Sequence, residues 1–237
     1  MHSATISPET APHTTSDFYR TNRGGGLFSE NVSQHLGAVF AAVAYRVGVA
    51  PTILTAGNLV LGLATSAAVV ALASTSAPTW VAGLVALVGW QLAYALDCAD
   101  GQLARVAGRT SPAGARVDIL CDIAVQISLV TALSAVAVDQ RPSTASWVVA
   151  LFAGTWMVNL VTSVMQSGPN AGSMVTSTSL PVRLVKLVRD YGAVIFVAGL
   201  VLLAVPQWTI WLLLAYTVIN GGFLVASIGF TMRRSLA

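Results

Sequence analysis

Four of the chain's nine acidic residues interrupt otherwise apolar sequence: Asp97 and Asp100 end one hydrophobic stretch, and Asp118 and Asp122 open the next. An ionised carboxylate inside hydrocarbon costs at least about 2.5 to 3.5 kcal/mol, so four together demand a compensating cation or a wet cavity. Their spacing, i, i+3 and i, i+4, projects each pair from one face of its helix. Two antiparallel neighbouring helices joined by a polar loop would bring the four carboxylates together. Such an oxygen-rich cluster suits hard divalent cations such as Mg²⁺, Mn²⁺ or Ca²⁺, and its charge suits two of them. Paired divalent ions holding phosphate oxygens are the recurring arrangement for phosphoryl-type transfer.

The segment between the pairs offers what a phosphate ligand needs. Gly101 lets a ligand approach the backbone, Ala104 keeps the next turn small, and Arg105 can fork onto a pyrophosphate. Gly114 opens similar space before Asp118. For Arg105, Arg109 and Arg116 the alternative is ordinary anchoring of basic residues at a membrane surface.

The elements that must position these residues follow from composition. Of 237 residues, 55% are hydrophobic and only 9% charged, and the mean hydropathy is +0.75. A soluble domain carries roughly 25% charged residues. A soluble enzyme, a disordered protein and a disulfide-stapled secreted module are thereby excluded, and an all-α polytopic membrane protein is expected. The net charge of +3 is spread over several short loops, which argues against a nucleic-acid partner. Six apolar stretches are long enough to span, at about 51–73, 79–100, 116–138, 145–165, 187–205 and 208–231. With the N-terminus cytoplasmic, every Lys and Arg except Arg141 falls on the cytoplasmic side, which places both termini and the aspartates there. The expected organisation is a flexible tail over 1–28, an amphipathic interfacial helix over 29–47, a six-helix catalytic domain over 51–231 and a short tail over 232–237. The interfacial helix rests on Val32, Leu36, Val39, Phe40, Val43 and Val47, which share one face. Cys98 and Cys121 read as small buried side chains, with a disulfide or metal ligation as the alternatives.

The residues Asp97-Cys98-Ala99-Asp100-Gly101-Gln102-Leu103-Ala104-Arg105, then Gly114, Asp118 and Asp122, reproduce a known signature at full spacing. The chain thereby resembles the class I CDP-alcohol phosphotransferases, and the six-span plan and amphipathic leader extend the likeness over about residues 29–231. The resemblance implies transfer of a substituted phosphoryl group from a CDP-linked lipid donor, such as CDP-diacylglycerol, to an alcohol hydroxyl, with release of CMP. It implies two ions of Mg²⁺ or Mn²⁺ held by Asp97, Asp100 and Asp118. It places Asp122 near the metals, counted with their ligands, as the general base. Gly101, Ala104, Arg105 and Gly114 would bind the CDP moiety, together with Thr55, and a homodimer is expected. All three histidines, His2, His13 and His35, precede the first span, which also leaves a carboxylate as the natural base. One departure concerns the start of the first span: Pro51-Thr52-Ile53-Leu54-Thr55 has Thr52 where the family often has Asn, and Asn58 is the nearby substitute for nucleotide contact.

For the acceptor, Arg183, Lys186 and Arg189 recur at i, i+3, i+6 beside the fifth span, and Arg116 joins them as an acceptor-binding candidate. That charge matches a polyol phosphate such as inositol phosphate or glycerol phosphate, and equally the anchoring of the chain to lipid headgroups. A different class of function, a divalent-cation transporter using the acidic cluster, is the alternative, although no acidic residue lies near the middle of the other four spans.

Overall fold

In the computed structural model, residues 13–22, 25–75, 78–165 and 187–235 are described. They form helices α1 (Thr15–Arg20), α2 (Gln34–Arg46), α3 (Pro51–Ala73), α4 (Thr79–Val106), α5 (Pro112–Gln140), α6 (Ser146–Met165), α7 (Tyr191–Ala204) and α8 (Thr209–Ser235), with no strand among the described residues. A π-helical turn, Ser29–Ser33, leads into α2, and a 3₁₀ turn, Pro206–Trp208, precedes α8. Among the described residues, four helical segments are long and apolar enough to cross a membrane: Pro51–Ala73, Thr79–Val106, Pro112–Gln140 and Pro206–Arg233. Helices α6 and α7 occupy the places expected for the fourth and fifth spans. The fifth starts later than the expected residue 187, because Asp190 caps it and accepts the Gly192 N–H. Its 14 residues make a helix of about 21 Å, against roughly 30 Å of hydrocarbon.

Small side chains let α3, α4, α5 and α7 pack closely. Gly83 lies against the backbone of Leu202 and Leu203, so a side chain there would collide with main chain. Around these crossings Trp90, Leu129, Leu133, Phe152, Trp156, Ile195 and Leu202 form the main core. Both indoles inside it are paired: the Trp90 indole donates to Ser66 Oγ at 3.1 Å, and the Trp156 indole to Gln126 Oε1 at 3.0 Å. A second core joins Phe18, Ala38, Ala41 and Ala42 to Ala99 and Leu103 of α4.

Two sequence expectations change, the first of them at the end of α4. Gly101, Ala104 and Arg105 were expected in a polar loop, yet α4 continues through them to Val106. Gln102 is fully buried and donates to Asn22 Oδ1 at 2.9 Å and to the Gln34 carbonyl at 3.0 Å, so this extra turn is held by the N-terminal segment. The helix ends where Gly108 takes φ +64°. The next helix starts at Pro112, with Ser111 Oγ accepting the Gly114 N–H at 3.0 Å.

The second change concerns residues 1–28. Within that expected tail, Thr14 caps α1 and Phe18 is completely buried. The Thr14 amide and hydroxyl both donate to Asp17, holding its carboxyl below the ordinary carboxylate range. Residues 1–12 lie outside the described residues. In α2 the small face, Gly37, Ala38, Ala41 and Ala42, is buried. Val32, Leu36, Val39, Val43 and Val47 are exposed, while Phe40 packs partly against the second core. A Cβ on Gly37 would stand 2.7 Å from Cys98 Cβ, which shows how closely this helix lies on α4.

Candidate active site

Three helices build the site. From α4 come Asp97 and Asp100, and from α5 comes Asp118. One oxygen of each lies within 4.8 Å of the others. The third helix, α3, holds them from behind: Thr55 Oγ1 donates to Asp100 Oδ2, and Asn58 Nδ2 donates to Asp97 Oδ1 at 3.2 Å. Asn58, named from sequence as a substitute for nucleotide contact, donates its amide to Asp97 and is not among the residues lining the outer cavity. Asp122 is not part of the close triad. It stands beside Asp97 and Asn58 and lines a small inner chamber with Trp90, Tyr94, Val125 and Tyr191.

Outside the triad opens a cavity of about 480 Å³ lined by Pro51, Thr52, Thr55, Asp100, Gly101, Ala104, Arg105, Arg109, Thr110, Ser111, Gly114 and Asp118. Every CDP-binding residue expected from sequence is among them. Thr52, the departure from the family pattern, lines the cavity as a polar side chain. Arg109, weighed from sequence against plain membrane anchoring, lines the cavity, as do Thr110 and Ser111, which were not anticipated; all three follow Gly108, whose φ is +64°. Arg116 is exposed and is not among the lining residues. Arg189 lays its guanidinium over the Phe223 ring, 3.3 Å from its centroid, while Arg183 and Lys186 lie outside the described residues. Both cysteines are free thiols, so the disulfide alternative falls away.

The donor set fits hard divalent cations. It consists of carboxylate oxygens only, and Asp118 Oδ1 is buried without a hydrogen-bond partner, an arrangement that is costly unless a cation satisfies it. Arg105 supplies positive charge close enough to act on Asp118. A family model described as CDP-alcohol phosphatidyltransferase matches residues 48–220, a stretch that contains the triad, Asp122 and the cavity. The chain belongs to the CDP-alcohol phosphatidyltransferase family. A search of curated proteins gave no significant match. Membership makes the protein an integral membrane transferase of a phosphate-containing group, moving a phosphatidyl group from a CDP-alcohol in phospholipid synthesis. It weighs against the cation-transporter alternative.

Gly101 gives this site a sharp test. A Cβ there would meet Arg105 Nη1 at 3.0 Å and Nη2 at 3.3 Å, so the guanidinium folds across the glycine. Gly101→Ala should displace that guanidinium and raise KM for the CDP donor about tenfold, the worth of one charge-assisted hydrogen bond. The same variant should melt no earlier than wild type, because alanine stabilises a helix interior by about 0.5 to 1 kcal/mol over glycine. Steady-state kinetics and a melting curve in detergent together check this.

Proposed function

We propose that the enzyme transfers the phosphatidyl group of a CDP-linked lipid such as CDP-diacylglycerol to a hydroxyl of a polyol or polyol phosphate, releasing CMP. The observation that carries this reading is the meeting of three carboxylates from α4 and α5: Asp100 and Asp118 line a cavity that also holds Arg105, while Asp97 and a fourth carboxylate, Asp122, line the inner chamber behind it. Asp97, Asp100 and Asp118 would hold two ions of Mg²⁺ or Mn²⁺, which when bound neutralise charge on the pyrophosphate and polarise its phosphorus. Arg105 forks onto the pyrophosphate, where the small residues Gly101, Ala104 and Gly114 leave room for it. Thr55 keeps Asp100 aimed inward, and Thr52 faces the nucleotide from the start of α3. Asp122 takes the proton of the acceptor hydroxyl. The acceptor oxygen then bonds to the β-phosphorus, the one bearing the lipid, as the bond from that phosphorus to the bridging oxygen breaks. CMP departs with the electron pair, its charge held against Arg105.

In the membrane, the reading has six spans with both termini and the cavity on the cytoplasmic side, as the distribution of basic residues supports. The exposed valine and leucine face of α2 would lie in the interface, and the lipid tails of the donor would enter between helices. Arg189, with Arg183 and Lys186, would meet a phosphorylated acceptor, and the working form would be a homodimer. The test is divalent-dependent CMP release from CDP-diacylglycerol across a panel of polyols and polyol phosphates. Inositol phosphate or glycerol phosphate should support turnover. Release of CMP with none of the panel would remove the proposed acceptor class, and uptake of divalent ions into sealed vesicles without donor would support transport instead.

A further inference from the structure

Asp190, outside the aspartate motif, is the most heavily engaged carboxylate behind the site. It is buried at the start of α7 and accepts hydrogen bonds from Phe28 N at 2.8 Å, Ser29 N at 2.9 Å, Gly192 N at 3.1 Å and the Ser29 hydroxyl. It therefore caps two helical starts at once, that of α7 and that of the N-terminal segment leading into α2. A carboxylate at a helix N-terminus is favoured by the exposed N–H groups there. The approach is close: a Cβ on Gly192 would stand 2.8 Å from Ser29 Oγ and 2.9 Å from Ser33 Oγ.

The clamp reaches the inner chamber. Ser29 Oγ is 3.1 Å from the Tyr94 hydroxyl. Tyr94 packs edge-on against Tyr191, with ring centroids 4.9 Å apart, and both rings line the chamber with Asp97 and Asp122. Tyr94 lies one helical turn before Asp97 on α4, and Tyr191 directly follows Asp190. Gln91, also on α4, donates to the Gly192 carbonyl at 2.8 Å and closes the same junction. The family match begins at residue 48, so Ser29 lies outside the matched residues.

We infer that Asp190 is a positioning residue for transfer: by clamping Ser29 it sets Tyr94 and Tyr191 as the wall that places Asp97 and Asp122. The inference rests on the proposed reaction for its effect on rate. Misplacement of catalytic groups by about 1 Å can cost on the order of 10²-fold. In full-length protein in detergent, with CDP-diacylglycerol, Mg²⁺ and whichever of inositol phosphate or glycerol phosphate supports turnover, Asp190→Ala should lower kcat about 10- to 100-fold. The donor KM should stay within about threefold, because the outer cavity does not contain the clamp. Ser29→Ala and Tyr94→Phe should each lower kcat by about 3- to 10-fold, and the Asp190→Ala, Tyr94→Phe double variant should be no slower than Asp190→Ala alone.

Wild-type kcat in folded Asp190→Ala, or additive losses in the double variant, would overturn the inference. If Asp190→Ala yields no folded protein, Ser29→Ala and Tyr94→Phe decide, and wild-type kcat in both would overturn it. The proposed base fails separately: full turnover by Asp122→Asn beside a slowed Asp190→Ala would remove the base and leave the positioning role.

Discussion

Asp122→Asn is expected to abolish transfer, with kcat down by at least about 100-fold, while the protein stays folded and still binds the CDP donor. General base catalysis contributes about 10² to 10⁴ in rate, and the amide cannot accept the proton. The substitution is nearly isosteric. Asp122 lines the inner chamber and lies outside the close triad, so donor binding at the outer cavity should survive. Equilibrium binding of a CDP-lipid alongside CMP release separates the two effects. Intact turnover by the variant would take the base role from Asp122.

A different outcome is expected for Asp118→Asn. Its Oδ1 is buried without a hydrogen-bond partner in a cluster of like charges. Replacing it removes one ligand charge, and the loss of several kcal/mol of charge stabilisation corresponds to on the order of 10³-fold in rate. Without divalent ions the variant should be at least as stable as wild type, because one repelling charge has gone. On addition of Mg²⁺ the wild type should gain melting temperature by mass action and the variant should gain little. Asp122→Asn should keep most of that Mg²⁺-linked gain, so melting curves with and without Mg²⁺ distinguish ligand from base. Equal gains in wild type and Asp118→Asn would contradict the ligand role of Asp118.

The aspartates are legible in the sequence because charge within apolar helices is costly, and their i, i+3 and i, i+4 spacings leave one way to share a face. The cavity lining at Gly101, Ala104, Arg105 and Gly114 follows from the same motif. The local structure carrying it does not. Gly and a polar run after Asp100 resemble a loop, whereas burial of Gln102 and Leu103 against the N-terminal segment keeps α4 helical to Val106. That contact joins residues about 80 positions apart and has no local signature. For the same reason α1 is hidden: its support is the burial of Phe18 against distant alanines. Arg109 and Arg116 look alike in sequence, and only the fold separates them: Arg109 lines the cavity and Arg116 does not. Asp190 has no local signature, because its hold on Ser29 joins residues 161 positions apart.

Titration of full-length protein with Mn²⁺, followed by the loss of the free-ion electron paramagnetic resonance signal, reaches the acidic cluster without knowledge of the acceptor. Wild type should take up about two Mn²⁺ ions per chain, and Asp97→Asn, Asp100→Asn and Asp118→Asn should each lose tight uptake. Unchanged Mn²⁺ uptake across all three variants would contradict the account.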